Sequence, residues 1–197
     1  MSSDQSATNA TSGPRQDHVD QIVEQWHLQR PDLDVSPMGI IGRMSRLSRF
    51  LEHSIAEVLA RHGLNESQFA VLAALRRAGP PNCLSPTDLY NSLLVSSGAM
   101  TNRLRRLEEA GLVKRVPDPR DGRSLLVALT RKGHRLIDQA VEAHTANEHR
   151  LLAPLGPEDR KVLTDLLRGL LLQFEDHRQP TPSRNPTHDG QTAQRSR

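Results

Sequence analysis

The sequence predicts a mainly α-helical protein with one small β-hairpin, and three observations lead there. Aromatic residues are only 3% of the chain while leucine is frequent, which favours packed helices over a β-branched sheet protein. Apolar residues recur at helical spacing on both sides of the centre of the chain. Between these stretches lie two short apolar runs, Val113 to Val116 and Leu125 to Leu129, joined by the turn-rich linker Pro117 to Ser124, which is a hairpin pattern. A chain of 197 residues is expected to hold one core with appended segments.

Residues 1–16 are polar and lack apolar periodicity, and residues 177–197 repeat that character around Pro180, Pro182 and Pro186, so both ends are expected to be disordered tails. The segment 17–63 reads as two helices. In the first, Val19, Ile22, Val23 and Trp26 form one stripe that Pro31 ends. In the second, Ser36 and Pro37 supply an N-cap and a first-turn proline, the stripe runs from Ile40 and Ile41 through Met44, Leu47, Leu51 and Ile55 to Val58 and Leu59, and Gly63 is the stop.

The segment 64–130 opens on Asn65 and Gln68, a capping-box spacing for a helix that reaches Gly79-Pro80-Pro81. Ser85, Pro86 and Asp88 then start a short helix with Leu89, Tyr90 and Leu93 as its apolar residues. After a tight turn, Ser96 and Ser97 cap a further helix that runs to Gly111, with Met100, Leu104 and Leu107 facing the core. Two short helices with one tight turn, followed by the hairpin, give a winged helix-turn-helix. Residues 131–176 supply two more helices after the Thr130 cap. The first carries Leu136, Ile137, Ala140, Val141, His144 and Leu151 and breaks at Pro154. The second begins at Pro157 and carries Val162, Leu163, Leu166, Leu167, Leu170, Leu171 and Phe174. The outer helices hold more apolar surface than the central segment can cover, so a homodimer through the terminal helices is expected, with a self-covering monomeric bundle as the alternative.

Lys and Arg total 26 against 23 Asp and Glu, so the net charge of +3 does not by itself indicate a nucleic-acid partner and any basic signal must be local. On the helix after Ser97, a rotation of about 100° per residue puts Gly98, Thr101, Asn102 and Arg105 opposite the core side. That face suits a DNA major groove. Gly98 admits close backbone approach, Thr101 suits a thymine methyl or a phosphate, and Asn102 and Arg105 suit adenine and guanine edges. Ser96 and Ser97 at the helix N-terminus suit phosphates. In the hairpin linker, Arg123 is placed to enter the minor groove, Asp121 to hold its guanidinium in a charge-assisted fork, and Arg120 to meet a phosphate. The competing reading of each charge is an ordinary solvated surface.

No phosphate loop, dinucleotide fingerprint, nucleophile elbow or zinc-protease motif occurs, so neither catalysis nor a cofactor is expected. His53, Glu57, His144 and His149 are conceivable metal ligands for a metal-responsive variant of this fold, but their spacing forms no local site. Cys83, the single cysteine, has a packing role among bland neighbours, with redox sensing as the alternative. With no signal-peptide or membrane-spanning run, the expected compartment is the cytoplasm and no membrane contact is expected.

Leu94 to Arg103, Leu107 to Val113, Asp118-Pro-Arg-Asp-Gly-Arg123 and Leu129-Thr-Arg-Lys-Gly133 together resemble the MarR (multiple antibiotic resistance regulator) family, over about Ser36 to Glu175. The resemblance implies a winged helix-turn-helix homodimer that binds double-stranded DNA at a pseudo-palindromic operator. It also implies repression of transcription until a small effector or an oxidant releases the protein. Gln25-Trp-His and Arg30-Pro-Asp-Leu-Asp-Val-Ser-Pro-Met38 are similar to the urate-responsive branch of the family. That likeness implies effector contacts at Trp26, Arg103 and Arg115 and a urate-like or phenolic ligand. Where the branch has an Asp after an aromatic residue, this chain has Ala70 after Phe69, so one carboxylate is missing from the implied pocket. By helix geometry Arg103 lies roughly 150° from the DNA-facing side, toward the protein body, where it needs either an effector anion or an internal acid. Trp26 is open to a stacking role or to one as a packing anchor.

Overall fold

The computed structural model describes residues 15–93 and 97–176 and divides into two units, Met1–Leu151 and Leu152–Arg197. The readings made for residues 1–14, Leu94, Val95, Ser96 and residues 177–197 lie outside the described residues.

In the first unit, α1 (His18–Gln29) starts on a full capping box. The Asp17 carboxylate accepts from the backbone N–H of Val19 and Asp20, and Asp20 accepts in return from Asp17. Helix α2 (Ser36–Ala60) departs from expectation at its start, because Ser36 is already helical and Val35 is the N-cap. The cause is Asp34, whose Oδ1 accepts from the Ser36 N–H at 3.0 Å, while the Val35 carbonyl accepts from Met38. Val19 packs on Gly42, where a Cβ would come within 3.1 Å of Val19 Cγ1. Beside that contact Arg43 bridges to Asp17, with Nε to Oδ2 at 2.8 Å, and to Asp20, with Nη2 to Oδ1 at 2.5 Å. Together they fasten α1 to the first turns of α2.

Helix α3 (Glu66–Arg77) has the predicted Asn65–Gln68 capping box and is buried on nearly every side through Val71, Leu72, Ala73, Ala74 and Leu75. It is the centre of the core, which also takes Leu59 from α2. Past the left-handed Gly79 and Asn82 comes β1 (Cys83–Leu84), a strand that sequence reading missed. Two residues carry no period, and only pairing with a distant strand identifies them. Helices α4 (Pro86–Leu93) and α5 (Ser97–Glu109) follow, then β2 (Val113–Asp118) and β3 (Asp121–Leu129). The sheet is antiparallel in the order β1-β3-β2.

Helix α6 (Arg131–Leu151) begins at Thr130, whose Oγ1 accepts from the Gly133 N–H and donates to the Gly111 carbonyl. Gly133 is required here by space. A Cβ would lie 2.0 Å from the Leu112 carbonyl oxygen, an impossible approach for any other residue. Helix α6 meets α2 where Ser54 Oγ donates to the buried Asn147 Oδ1, and meets α3 where the Phe69 and His144 rings lie 5.0 Å apart and where Arg76 pairs with Asp138.

In the second unit, α7 (Pro157–Asp176) is preceded by a loop whose Leu152 and Leu155 carbonyls both accept from Arg160. Its apolar residues Val162, Leu166, Leu171 and Phe174 are all more than half exposed. No described helix is long and apolar enough to cross a membrane.

Candidate nucleic-acid interface

The two helices of the central motif are set by local capping and a shared core. Ser85 Oγ accepts from the Asp88 N–H at 3.0 Å and donates to the Asp88 carboxylate at 2.7 Å, which fixes the start of α4, and Leu89 anchors that helix with no exposed surface. On α5 the residues Met100, Leu104 and Leu107 are buried, and this determines which side of the helix is left outward.

The outward side is the one predicted: Gly98, Thr101, Asn102 and Arg105 are all exposed. A Cβ at Gly98 would meet nothing within 4 Å, so the chain's own packing does not call for glycine there. Arg105 is held on this surface at both ends of its fork. Nη1 pairs with Glu109 at 2.5 Å and Nη2 donates to Asn102 Oδ1 at 3.1 Å. These partners follow from helical spacing of three and four residues, and Glu109 is a participant that the sequence reading did not name. Ser97 opens α5, as expected of a residue at its N-terminus.

In the wing, β2 and β3 are longer than the sequence runs suggested, and Pro119-Arg120 alone form the turn. Arg120 and Arg123 are both exposed at this end. The expected Asp121–Arg123 fork is corrected. Asp121 Oδ1 accepts from the backbone N–H of Arg123 at 3.1 Å, because a carboxylate two residues upstream reaches the main chain more easily than the end of a long side chain. The acid that meets a wing guanidinium is Asp118, which accepts from the Arg120 N–H at 2.9 Å and lies 3.5 Å from Arg120 Nε.

The three implied effector contacts are not gathered in one recess. Arg115 on β2 borders a hollow of about 430 Å3 between α4, α5 and the sheet, together with Tyr90, Thr101 and Leu104, and its Nε donates to Glu108 at 2.6 Å. Arg103 is half-buried, unlike the exposed Gly98, Thr101, Asn102 and Arg105, and has no ion-pair partner among the described residues. Trp26 lies on α1, 43% exposed, and neither it nor Arg103 borders the Arg115 recess. Among the described residues no three His, Cys, Asp or Glu side chains are placed to hold a metal; His53 pairs with Glu57, and His144 with Glu148.

A family model described as MarR family matches residues 62–124, from just after α2 to the first residues of β3. The HTH-type transcriptional regulator PecS of Dickeya dadantii is 40% identical over 159 residues, covering 81% of this chain and 93% of PecS. Among solved structures, a MarR variant from E. coli complexed with operator DNA superposes with a TM-score of 0.59 at 28% identity, covering 74% of this chain and 97% of that one. AbsC, a MarR family transcriptional regulator from Streptomyces coelicolor, gives a TM-score of 0.67 at 23% identity, covers 73% of this chain and 97% of its own, and supports the fold alone. The order of elements, the three-stranded wing sheet and these likenesses agree: the chain is a winged helix-turn-helix protein that belongs to the MarR family of transcriptional regulators, within its PecS-like branch.

Proposed function

We propose that this chain represses transcription by binding double-stranded DNA as a homodimer. The observation that carries the reading is α5 itself, with three apolar residues sealed in the core and Gly98, Thr101, Asn102 and Arg105 presented together on the outside. Open space around Gly98 lets a DNA backbone come close, and the Asn102–Arg105 pair is orientated before any base is met. Ser96 and Ser97 are assigned to phosphates at the helix N-terminus, Arg120 to a phosphate, and Arg123 to the minor groove, with Asp121 bracing the Arg123 backbone. The operator is pseudo-palindromic because a two-fold dimer presents two such helices about one DNA turn apart.

Dimerisation is supported by unpaired apolar surface on the terminal helices. Ile40, Ile41, Leu47 and Phe50 on α2 are each more than half exposed, as are the α7 residues named above. The effector is a small anion or aromatic acid. Arg115 is its anchor, because an anion entering the recess beside Thr101 can replace Glu108 on the guanidinium and so act on α5 and the wing together. Arg103, half-buried without an acid partner, is a second anion contact, and Trp26 is a packing or stacking residue on α1. The working compartment is the cytoplasm.

Gel-shift titration with the DNA upstream of the chain's own coding region tests the reading. A specific complex that weakens steeply with salt supports it, and binding no stronger than to a scrambled duplex contradicts it.

A further inference from the structure

The C-terminal end of α5 satisfies its own carbonyls only in part. Past Ala110 the backbone turns left-handed at Gly111. The Gly111 N–H then donates to the Glu108 carbonyl and the Leu112 N–H to the Leu107 carbonyl, both at 2.9 Å, the paired closure that a left-handed glycine allows at a helix end. The next three carbonyls, those of Ala110, Gly111 and Leu112, take their donors from the start of α6. Lys132 Nζ donates to Ala110 at 2.9 Å, Thr130 Oγ1 to Gly111 at 2.7 Å, and the Thr130 N–H to Leu112 at 3.1 Å.

These carbonyls lie at the negative end of the α5 dipole, where an ammonium is a better partner than a neutral donor. The contact also stands next to the DNA-facing surface. Glu109, which holds Arg105, is the residue immediately before Ala110. Farther along, α6 is tied to α3 through Asp138 and to α2 through Asn147. The end of α5 is therefore fastened to the helix that runs back into the body of the first unit. Thr130 is also the cap of α6, and Gly133 is buried against Leu112, whereas Lys132 is exposed and can be replaced without disturbing the core.

We propose that Lys132 is a positioning residue for DNA reading: from α6 it holds the last turn of α5, so that a displacement of α6 is carried to Arg105 and Asn102. It acts on the operator through α5 and not as a phosphate ligand. The inference rests on the reading of α5 as the helix that meets the bases.

The test compares the full-length chain with K132M, which removes the donor and the charge, and with K132R, which keeps both. Hydrogen exchange at the Ala110, Gly111 and Leu112 amides, followed by NMR, reads the end of α5 without DNA. In K132M it accelerates about threefold, as expected for losing a cation at a helix C-terminus, while the Val71 to Leu75 amides of α3 are unchanged. Anisotropy with the upstream duplex reads the consequence: specific affinity falls about threefold, and the dependence of log K on log salt keeps its slope. K132R restores both readouts. Unchanged exchange in K132M overturns the proposal, as does accelerated exchange with undiminished specific affinity. A slope reduced by about 1 overturns it too, because Lys132 is then a phosphate contact. No preference of the unaltered chain for the upstream duplex over a scrambled one overturns the reading of α5 itself, whatever the exchange rates show, so the two failures are separate.

Discussion

At the scale of single residues, the side chains assigned to base reading are held in place by other members of the same helix. Glu109 and Asn102 occupy the Arg105 guanidinium from two directions, so this long side chain loses less freedom on docking than a solvated one would. Arg105→Ala is therefore expected to cost about 1–3 kcal/mol of specific DNA affinity while leaving the thermal midpoint nearly unchanged. Anisotropy titration and a melting curve on the same preparation check both halves. Gly133 is the opposite kind of residue, buried on α6 and needed for the fold. Gly133→Ala forces a Cβ onto the Leu112 carbonyl, and a loss of about 3 kcal/mol or more in urea unfolding is expected. Arg105 was readable from helical spacing alone. The crowding at Gly133 was not, because it arises between α6 and the chain that enters β2, segments joined only by the tertiary fold.

At the scale of elements, capping chemistry was the most legible part of the sequence. The Asn65 and Thr130 caps stand as read, while the start of α2 shifted because Asp34, two residues earlier, takes the Ser36 N–H and the Val35 carbonyl takes that of Met38. What the sequence concealed was pairing across distance. Strand β1 and the Arg43 bridge from α2 to α1 both join residues with no local relation. The bridge predicts a pH response. The Arg43 guanidinium, followed by the Asp17 backbone N–H, holds the Asp20 carboxyl below its ordinary range. At Asp17 desolvation pulls upward, but the Asp20 and Val19 N–H groups and Arg43 outweigh it and leave that carboxyl lowered as well. Depressed carboxyl values stabilise the folded arrangement above the unfolded value near 3.9, and that contribution disappears as pH falls through the lower folded values. The attachment of α1 should accordingly be constant through neutral pH and loosen only in acid. Trp26, the only tryptophan, lies on α1 and reports it by fluorescence. Arg43→Gln is expected to change the neutral-pH emission and to shrink the acid step to the part that the backbone N–H groups support, and an unaltered acid step would detach the bridge from this role.

At the scale of the whole molecule, the sequence showed that the terminal helices carry an excess of apolar residues, and the structure shows which of them are bare in the single chain. Leu47 and Phe50 on α2 are two such residues within one turn of each other, so Leu47→Glu with Phe50→Glu is expected to convert a dimer to monomers in sedimentation. DNA affinity should fall with it, since a monomer reads one half-site. The implied effector contacts were the least legible feature. Trp26, Arg103 and Arg115 come from three separate elements, and the recess that exists forms around Arg115 from α4, α5 and β2. A pocket assembled from distant segments leaves little periodic trace in a sequence.

The outward face of α5 and the wing arginines are proposed to read DNA. The most direct test is equilibrium anisotropy of the upstream duplex at several salt concentrations, comparing the unaltered chain with Arg105→Ala/Arg123→Ala. Specific, salt-sensitive binding by two chains per duplex is predicted, with loss of specificity in the double variant while its dimer persists. Equal affinity of the two proteins for that duplex, or no preference over a scrambled duplex, would contradict the account.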